Sequence, residues 1–346
     1  MDKINISISG IKTGHVQGIA TDRERKYMYY SFTTCLIKTD MQGNIIGSVK
    51  GLAGHLGCIA YNYQDGKVYG SLEFKHDIIG REILNRINND GIEEIDVTDG
   101  FYVAVLDVEK INRIDMDAEK DGIMTAVHLK EVLDDYNFPN HKHGCSGIDG
   151  ITFAPIPGSN DDKKYLYVAY GIYSDVERDD NDYQVILRYD ISGRNMFEKS
   201  LNQAEMHKFG PEKPDSKYFV YTGNTSYGIQ NLEYDKATGY MFAAVYKGNK
   251  KNFPNYPMFV IDMNRAAVYN EIQNLNMQGE EIFLAEFGLK DERTEIRGMD
   301  FPYGSTGMIS LGDGNFYFSK DFKTDDGWGT DVAKYKFDEK VGFLPA

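Results

Sequence analysis

The sequence predicts an all-β chain of five repeated four-stranded units closed into a ring, and three observations carry that prediction. One five-residue phrase recurs five times: Gln17-Gly18-Ile19-Ala20-Thr21, Gly57-Cys58-Ile59-Ala60-Tyr61, Asp149-Gly150-Ile151-Thr152-Phe153, Gln230-Asn231-Leu232-Glu233-Tyr234 and Arg297-Gly298-Met299-Asp300-Phe301. Each copy is a variable, mostly polar residue, a small one, an aliphatic one, a variable one and usually an aromatic. A second strand-like run follows each copy after a turn. Self-similarity at long intervals marks units that stack because none can bury its apolar face alone. The composition agrees, with 25 Tyr, 19 Phe and 35 Gly in 346 residues. Aromatics fit pleated, half-buried surfaces, and glycine permits the positive φ of tight turns.

Alternation and turn chemistry place the strands. The first unit has strands at 17–21, 27–32, 35–39 and 45–49, with turns at 23–26 and at Asp40-Met41-Gln42-Gly43-Asn44. The second has 58–62, the turn Gln64-Asp65-Gly66, 67–74, 101–108 and 124–129. The third has 150–154, 165–172, 184–190 and 196–200. The fourth has 231–234, the turn Asp235-Lys236-Ala237-Thr238-Gly239, 240–246, 258–263 and 268–272. The fifth has 298–301, a strand within 307–318, and 332–337, and its fourth strand is missing. Asn5-Ile6-Ser7-Ile8-Ser9 precedes the first innermost strand without a partner, so it is expected to supply that strand and close the ring. Closure removes the exposed edges that template aggregation. The alternative is a six-unit ring with one unit hidden in residues 75–123.

Length alone would suggest two domains, but a closed ring makes residues 1–346 one domain. Sorted by face, the connections between first and second strands and most of those between third and fourth are tight, with 109–122 the exception. The other set is long: 75–100, 130–147, 174–183, 202–227, 247–257, 274–296 and 319–331. Nearly all elaboration therefore falls around one mouth of the axial channel, and ordered loops of that length are often functional.

A formal net charge of −15 repels phosphate backbones and anionic lipid, so neither nucleic acid nor membrane is an expected partner. Three cysteines (Cys35, Cys58 and Cys145) at irregular spacing argue against a disulfide framework. Met1-Asp2-Lys3-Ile4-Asn5 lacks the apolar core of a signal peptide, and no apolar run approaches the ~18 residues of a membrane span. If Met1 is the natural start, the expected location is the cytoplasm; a leader trimmed from before it would mean export.

The first residue of each phrase opens an innermost strand beside the axis: Gln17, Gly57, Asp149, Gln230 and Arg297. Two positions earlier come His15, His55, Gly147, Gly228 and Glu295. A scaffold that repeats everywhere but varies its polar residues here is building a site from several units. His15, Gln17, His55, Gln230 and Arg297 are the expected binding residues for a small-molecule ligand. The fourth residue is Ala20, Ala60 or Thr152 in three copies but Glu233 and Asp300 in the others. Carboxylates in a crowded position are costly unless paired, or shift toward the neutral form. Asp149, Glu233 and Asp300 are thus the candidate acid and base groups, with Arg297 either gripping an anionic substrate or pairing with Asp300. His141-Lys142-His143 places two imidazoles on one side of an extended backbone, and with His15, His55 and Asp149 they form a candidate site for a divalent metal. Cys145 lies near both histidines and is the one cysteine in a setting for nucleophilic chemistry. The run Asp175-Val176-Glu177-Arg178-Asp179-Asp180-Asn181-Asp182 reads as a solvated acidic loop, without the pattern of an EF-hand.

Through the repeated phrases the chain resembles the β-propeller superfold over almost its whole length, most like a five-bladed member. Five-bladed propellers include glycoside hydrolases acting on arabinans and fructans, calcium-dependent nucleotidases and sugar-binding lectins, so the fold alone does not name an activity. A propeller glycosidase would place three carboxylates around the channel, and Asp149, Glu233 and Asp300 could be cast in those roles. No glycosidase motif matches residue by residue, so no family's site is carried over. The expected function is binding of a small polar ligand at the elaborated mouth, with hydrolysis or elimination of a carbohydrate or anionic sugar derivative. The alternative is a non-catalytic ligand-binding or protein-interaction propeller.

Overall fold

Alternation along one strand shows how the blades are held together. In Tyr165–Ile172, Leu166, Val168, Tyr170 and Ile172 enter one apolar cluster, while Tyr167 and Ala169 enter the next. Period-two side-chain geometry lets each sheet bury both faces between its neighbours. Five such clusters lie between consecutive sheets, and together they close a five-bladed β-propeller. The computed structural model describes residues 6–78, 80–82 and 98–346. Much of the long connection 75–100, which also falls within the alternative sixth blade, lies outside the described residues.

Blade 1 runs Val16–Thr21, Tyr27–Phe32, Cys35–Asp40 and Ile45–Lys50 from the axis outward. Blade 2 is His55–Asn62, Lys67–Phe74, Gly100–Leu106 and Met124–His128. Blade 3 is Cys145–Ala154, Tyr165–Ile172, Tyr183–Tyr189 and Ser216–Tyr221. Blade 4 begins Thr225–Asp235, Tyr240–Lys247 and Met258–Asp262, and bridges from Ile261 to Leu284 and from Met258 to Met299 complete it. Blade 5 begins Met308–Ser310, Asn315–Thr324 and Gly327–Asp338.

The expected closure by the N-terminal strand is present. Ile6–Ile11 pairs antiparallel with one half of Gly327–Asp338, Ile6 opposite Val332 and Ile8 opposite Thr330. The C-terminal strand Gly342–Pro345 pairs with the other half, Phe337 opposite Phe343. The first and last described strands therefore share one edge of the last blade.

Three strand assignments are corrected. In blade 3 the outer strand is Ser216–Tyr221 rather than 196–200, because Lys199–Ser200 pairs instead with Met124–His128 of blade 2. Val268–Ile272 does not belong to blade 4; it forms a hairpin with Met277–Glu281, which runs parallel beside Ser216–Tyr221. The phrase beginning at Arg297 is not innermost. Arg297–Gly298 pairs with Leu289–Lys290, and Met299 lies on the outer edge of blade 4. The axial strand of blade 5 is Met308–Ser310, preceded by Thr306 and Gly307, so the fifth phrase reads Thr306-Gly307-Met308-Ile309-Ser310. Gly307 makes the packing plain: a Cβ there would lie 2.9 Å from a side-chain carbon of Ile19 in blade 1, much as one on Gly18 would lie 2.7 Å from the backbone nitrogen of Ile59 in blade 2. The small second residue of the phrase is where adjacent innermost strands approach.

The connections also differ in part. Residues 130–147 contain the helix Lys130–Asn137, and 319–331 is no loop but the continuation of two long paired strands. Among the described residues no helix is long and apolar enough to cross a membrane.

Candidate functional site at the channel mouth

Each innermost strand of blades 1 to 4 breaks register near its start, between Val16 and Gly18, Leu56 and Ile59, Ile148 and Ile151, and Ile229 and Asn231. The residues left out of the ladder include Gln17, Gly57, Asp149 and Gln230, the first residues of the repeated phrase. Bulges re-aim side chains, and Gln17, Asp149 and Gln230 line one open cavity of about 240 Å³. His15 and His55, at equivalent positions in adjacent blades, line it too, as do Glu73, Lys75, Tyr227 and Tyr246.

The charged core of this wall comes from the second strand of blade 2 and the residue that follows it. The Lys75 ammonium lies 2.7 Å from Oε1 of Glu73 and donates to the Ser146 carbonyl at 2.9 Å. The other Glu73 oxygen accepts the Ile148 N–H at 3.2 Å, and Nδ1 of His55 sits 3.4 Å from Oε1. Glu73 and Lys75 are only 4% and 6% exposed, so each charge depends on the other. Burial by itself would raise the Glu73 carboxyl, but Lys75 and His55 outweigh it and hold it below the usual range. Burial likewise opposes the charge on Lys75, yet Glu73 and Asp77 raise its pKa. His55 is also raised, with Glu73 and Asp149 overcoming desolvation.

Asp149 behaves differently. It is buried, and its nearest donor is the Cys58 N–H at 3.4 Å from Oδ1. Burial pushes its carboxyl up to about 7; Glu73 adds to the rise, while His55 and Lys75 oppose it. One carboxyl in the cavity is therefore held ionised and another titrates near neutrality. Glycines make room for both. A Cβ on Gly57 would collide with Asp149, and one on Gly147, at φ +126°, would lie 2.1 Å from Oε2 of Glu73. Nearby, the buried Ser71 hydroxyl has no hydrogen-bond partner among the described residues.

Further polar side chains surround this centre. Nδ1 of His15 sits 2.7 Å from the Val16 carbonyl, and its ring meets Trp328 edge-on at 5.6 Å. The Gln17 amide donates to the Thr33 hydroxyl at 3.4 Å, and that of Gln230 to the Tyr227 carbonyl at 3.1 Å.

Several expected site residues lie elsewhere. Glu233 opens onto the opposite end of the channel, because the fourth residue of the phrase is farther along the same strand. Asp300 is an exposed partner of Lys247 at 2.9 Å, and Arg297 belongs to the outer hairpin, so neither reaches the mouth cavity. Nδ1 of His141 faces the Tyr136 carbonyl at 2.6 Å, with its ring between Tyr136 and Tyr173. His143 is buried against Phe219, and burial pushes its imidazole down to about 4. The two histidines thus face different surroundings, apart from His15, His55 and Asp149. Among the described residues no group of three or more His, Cys, Asp or Glu side chains is placed to hold a metal ion. Cys145 is buried, its thiol pushed up to about 12, which leaves no thiolate for nucleophilic work. The acidic loop is tied down by its own Arg178, 2.7 Å from Asp180, and by Lys250, 3.0 Å from Asp182.

Glu73 and Lys75 are the residues that sequence reasoning passed over. The available signal was an Asp/Glu–x–Lys pair closing a strand whose other residues, Val68 to Phe74, are otherwise apolar or small.

No protein-family model matches the chain, and no curated protein matches it in sequence. Among solved structures it is similar to a functionally unknown protein from Desulfotomaculum acetoxidans, at 10% identity and TM-score 0.39 over 96% of this chain and 70% of that one. It is also similar to a GH43 β-1,3-galactosidase solved with galactodeoxynojirimycin, at 12% identity and TM-score 0.42 over 96% and 93% of the two chains. A third is the β-propeller domain of Cps50 (Swd1) from Myceliophteria thermophila, at 6% identity and TM-score 0.33 over 93% and 97%. These likenesses are of fold alone.

Proposed function

We propose that the mouth cavity binds a small polar ligand, a carbohydrate or an anionic sugar derivative, and cleaves it by hydrolysis or elimination. The observation that supports this most is the Asp149 carboxyl, pushed up to about 7 beside an ionised Glu73 in the same cavity. A group that titrates near neutrality can give and take a proton within one turnover, and two carboxyls with separated pKa values divide acid and base roles. Asp149 is assigned the proton transfer. In hydrolysis, Glu73 provides fixed negative charge for the developing oxocarbenium ion, with Lys75 and His55 holding it ionised and in place. Gln17, Gln230 and His15 offer hydrogen-bonding partners to hydroxyl groups.

A second reading, a ligand-binding propeller without catalysis, has its own support: Glu73, Lys75 and His55 already engage one another. The two readings separate on a panel of aryl glycosides and uronic acid glycosides, scored for binding by calorimetry and for products by chromatography. The catalytic reading expects turnover that falls by about 10²-fold or more in Asp149→Asn. Binding without products selects the second reading. A panel that neither binds nor reacts overturns both.

A further inference from the structure

The opposite end of the channel has the makings of a second site. With the fifth phrase at Thr306, the fourth residues of the five innermost strands are Ala20, Ala60, Thr152, Glu233 and Ile309, and all five line one cavity of about 290 Å³. The small side chains of Ala20 and Ala60 leave its floor open. The Glu233 oxygens accept hydrogen bonds from the Ser310 N–H at 2.8 Å and the Thr152 hydroxyl at 3.2 Å. Burial pushes the Glu233 carboxyl up to about 8, so the ring carries little negative charge at neutral pH.

The rim is cationic, in a chain whose net charge is −15. Arg23, Arg25, Lys164 and Lys236 line the same cavity. The two arginines each donate to a backbone carbonyl, Arg23 to Tyr63 and Arg25 to Leu311, and the Lys164 ammonium rests 4.3 Å from the centre of the Tyr234 ring. None of these three has a carboxylate in salt-bridge contact among the described residues. Only Lys236 is so paired, with Asp162 at 3.1 Å on the surface. Asp313 and Asp162 act on Arg25 and Lys164 only from beyond salt-bridge distance. Positive groups not neutralised by direct contact around a concavity favour an anion, and arginine matches the geometry of an oxyanion.

We propose that this end of the channel binds a small organic oxyanion, its carboxylate or phosphate group held by Arg23, Arg25 and Lys164 and its body entering the ring of fourth residues. The inference is independent of the chemistry at the mouth. The test is calorimetric titration of the full chain with inorganic phosphate, citrate and benzoate, against sodium chloride at matched ionic strength. The expected result is saturable binding of at least one of these probes, weakened at least tenfold in the double variant Arg25→Ala, Lys164→Ala and unchanged in Asp149→Asn. Phosphate binding alone would mark the phosphate source, and citrate or benzoate binding the carboxylate source. Should the double variant not fold, the exposed Arg23→Ala is expected to weaken binding at least threefold. The proposal is overturned if none of the probes binds, if binding survives undiminished in the folded rim variants, or if it disappears in Asp149→Asn.

Discussion

A methyl group on Gly57 would lie 2.2 Å from Oδ1 of Asp149 and 2.5 Å from Oγ of Ser71. The bulge of blade 2 thus carries no side chain so that the bulge of blade 3 can carry a carboxyl. Gly57→Ala is expected to displace Asp149 from the cavity at an overpacking cost of about 1–3 kcal/mol. Denaturant titration reads the cost, and a drop in ligand affinity or turnover at least as large as that of Asp149→Asn reads the displacement. A variant with unchanged stability and full function would contradict the packing.

Lys75 is expected to matter through Glu73. Lys75→Met leaves a buried carboxylate without its partner, a loss of about 3–5 kcal/mol. Adding Glu73→Gln should recover much of it, because the uncompensated charge goes. Chemical denaturation of the two variants measures the difference; equal stability of single and double would refute the pairing.

Asp149 also sets a pH dependence of stability. The folded chain keeps its proton to about 7, whereas the ordinary value is 3.8. Between those values the folded state binds more protons than the unfolded one, so this contribution is full at low pH and is lost as pH rises toward 7. The slope is on the order of 1 kcal/mol per pH unit. His55, also raised, loses its contribution in the same direction as pH climbs through its folded value, while Glu73, lowered, loses its own as pH falls. Stability measured from pH 4 to 8 in wild type and Asp149→Asn isolates the Asp149 part, which should be missing from the variant.

Ring closure is expected to depend on the first described strand. Ile6 is fully buried against the last blade, and Ile6→Ala should cost about 2–5 kcal/mol. Removing residues 1–11 would expose the edge of Gly327–Asp338 at 328–332, and aggregation on gentle heating is the expected outcome. A monomeric, equally stable truncation would rule out that role.

At the far end, oxyanion affinity should fall as pH rises through about 8. There Glu233 ionises, facing Thr152 and Ser310, with Asp235 on its own strand and Tyr63 and the rim cations around it. Burial and nearby Lys236 also hold Lys164 below the usual lysine range, which adds to the fall at higher pH. Glu233→Gln removes the first component and leaves the second. Titrations of the bound probe at pH 6.5 and 9 in both proteins give the comparison, and identical ratios would dissociate Glu233 from the site.

Four of the five innermost strands were legible in the sequence because the phrase encodes a physical requirement. A bulge residue points to the axis, a small residue lets the next blade approach, and an aliphatic one enters the inter-blade core. The fifth was misplaced because Arg297-Gly298-Met299-Asp300-Phe301 satisfies the same pattern while serving a blade edge, and Thr306-Gly307-Met308-Ile309-Ser310 lacks the terminal aromatic. Composition cannot tell an axial strand from an edge strand when both need a glycine for close approach. That slip carried Arg297 and Asp300 into the predicted site. His15, Gln17, His55, Asp149 and Gln230 were legible because equivalent positions in successive blades converge by symmetry. Glu73 and Lys75 were not, because they enter the site from a second strand whose register against the bulge is fixed only by folding. Glu233 was legible as a carboxyl in a crowded position, and burial raises its pKa. Its separation from Asp149 follows from strand length: three positions on from the phrase's first residue, the chain has passed to the other mouth.

The most direct measurement is the pH profile, from 4 to 9, of binding and turnover for ligands from the glycoside panel in wild type and Asp149→Asn. An inflection near 7 is expected in the wild type, absent from the variant along with most of the activity. A profile of the same shape and amplitude in both proteins would contradict the assignment of Asp149 and, with it, the chemistry proposed for the mouth.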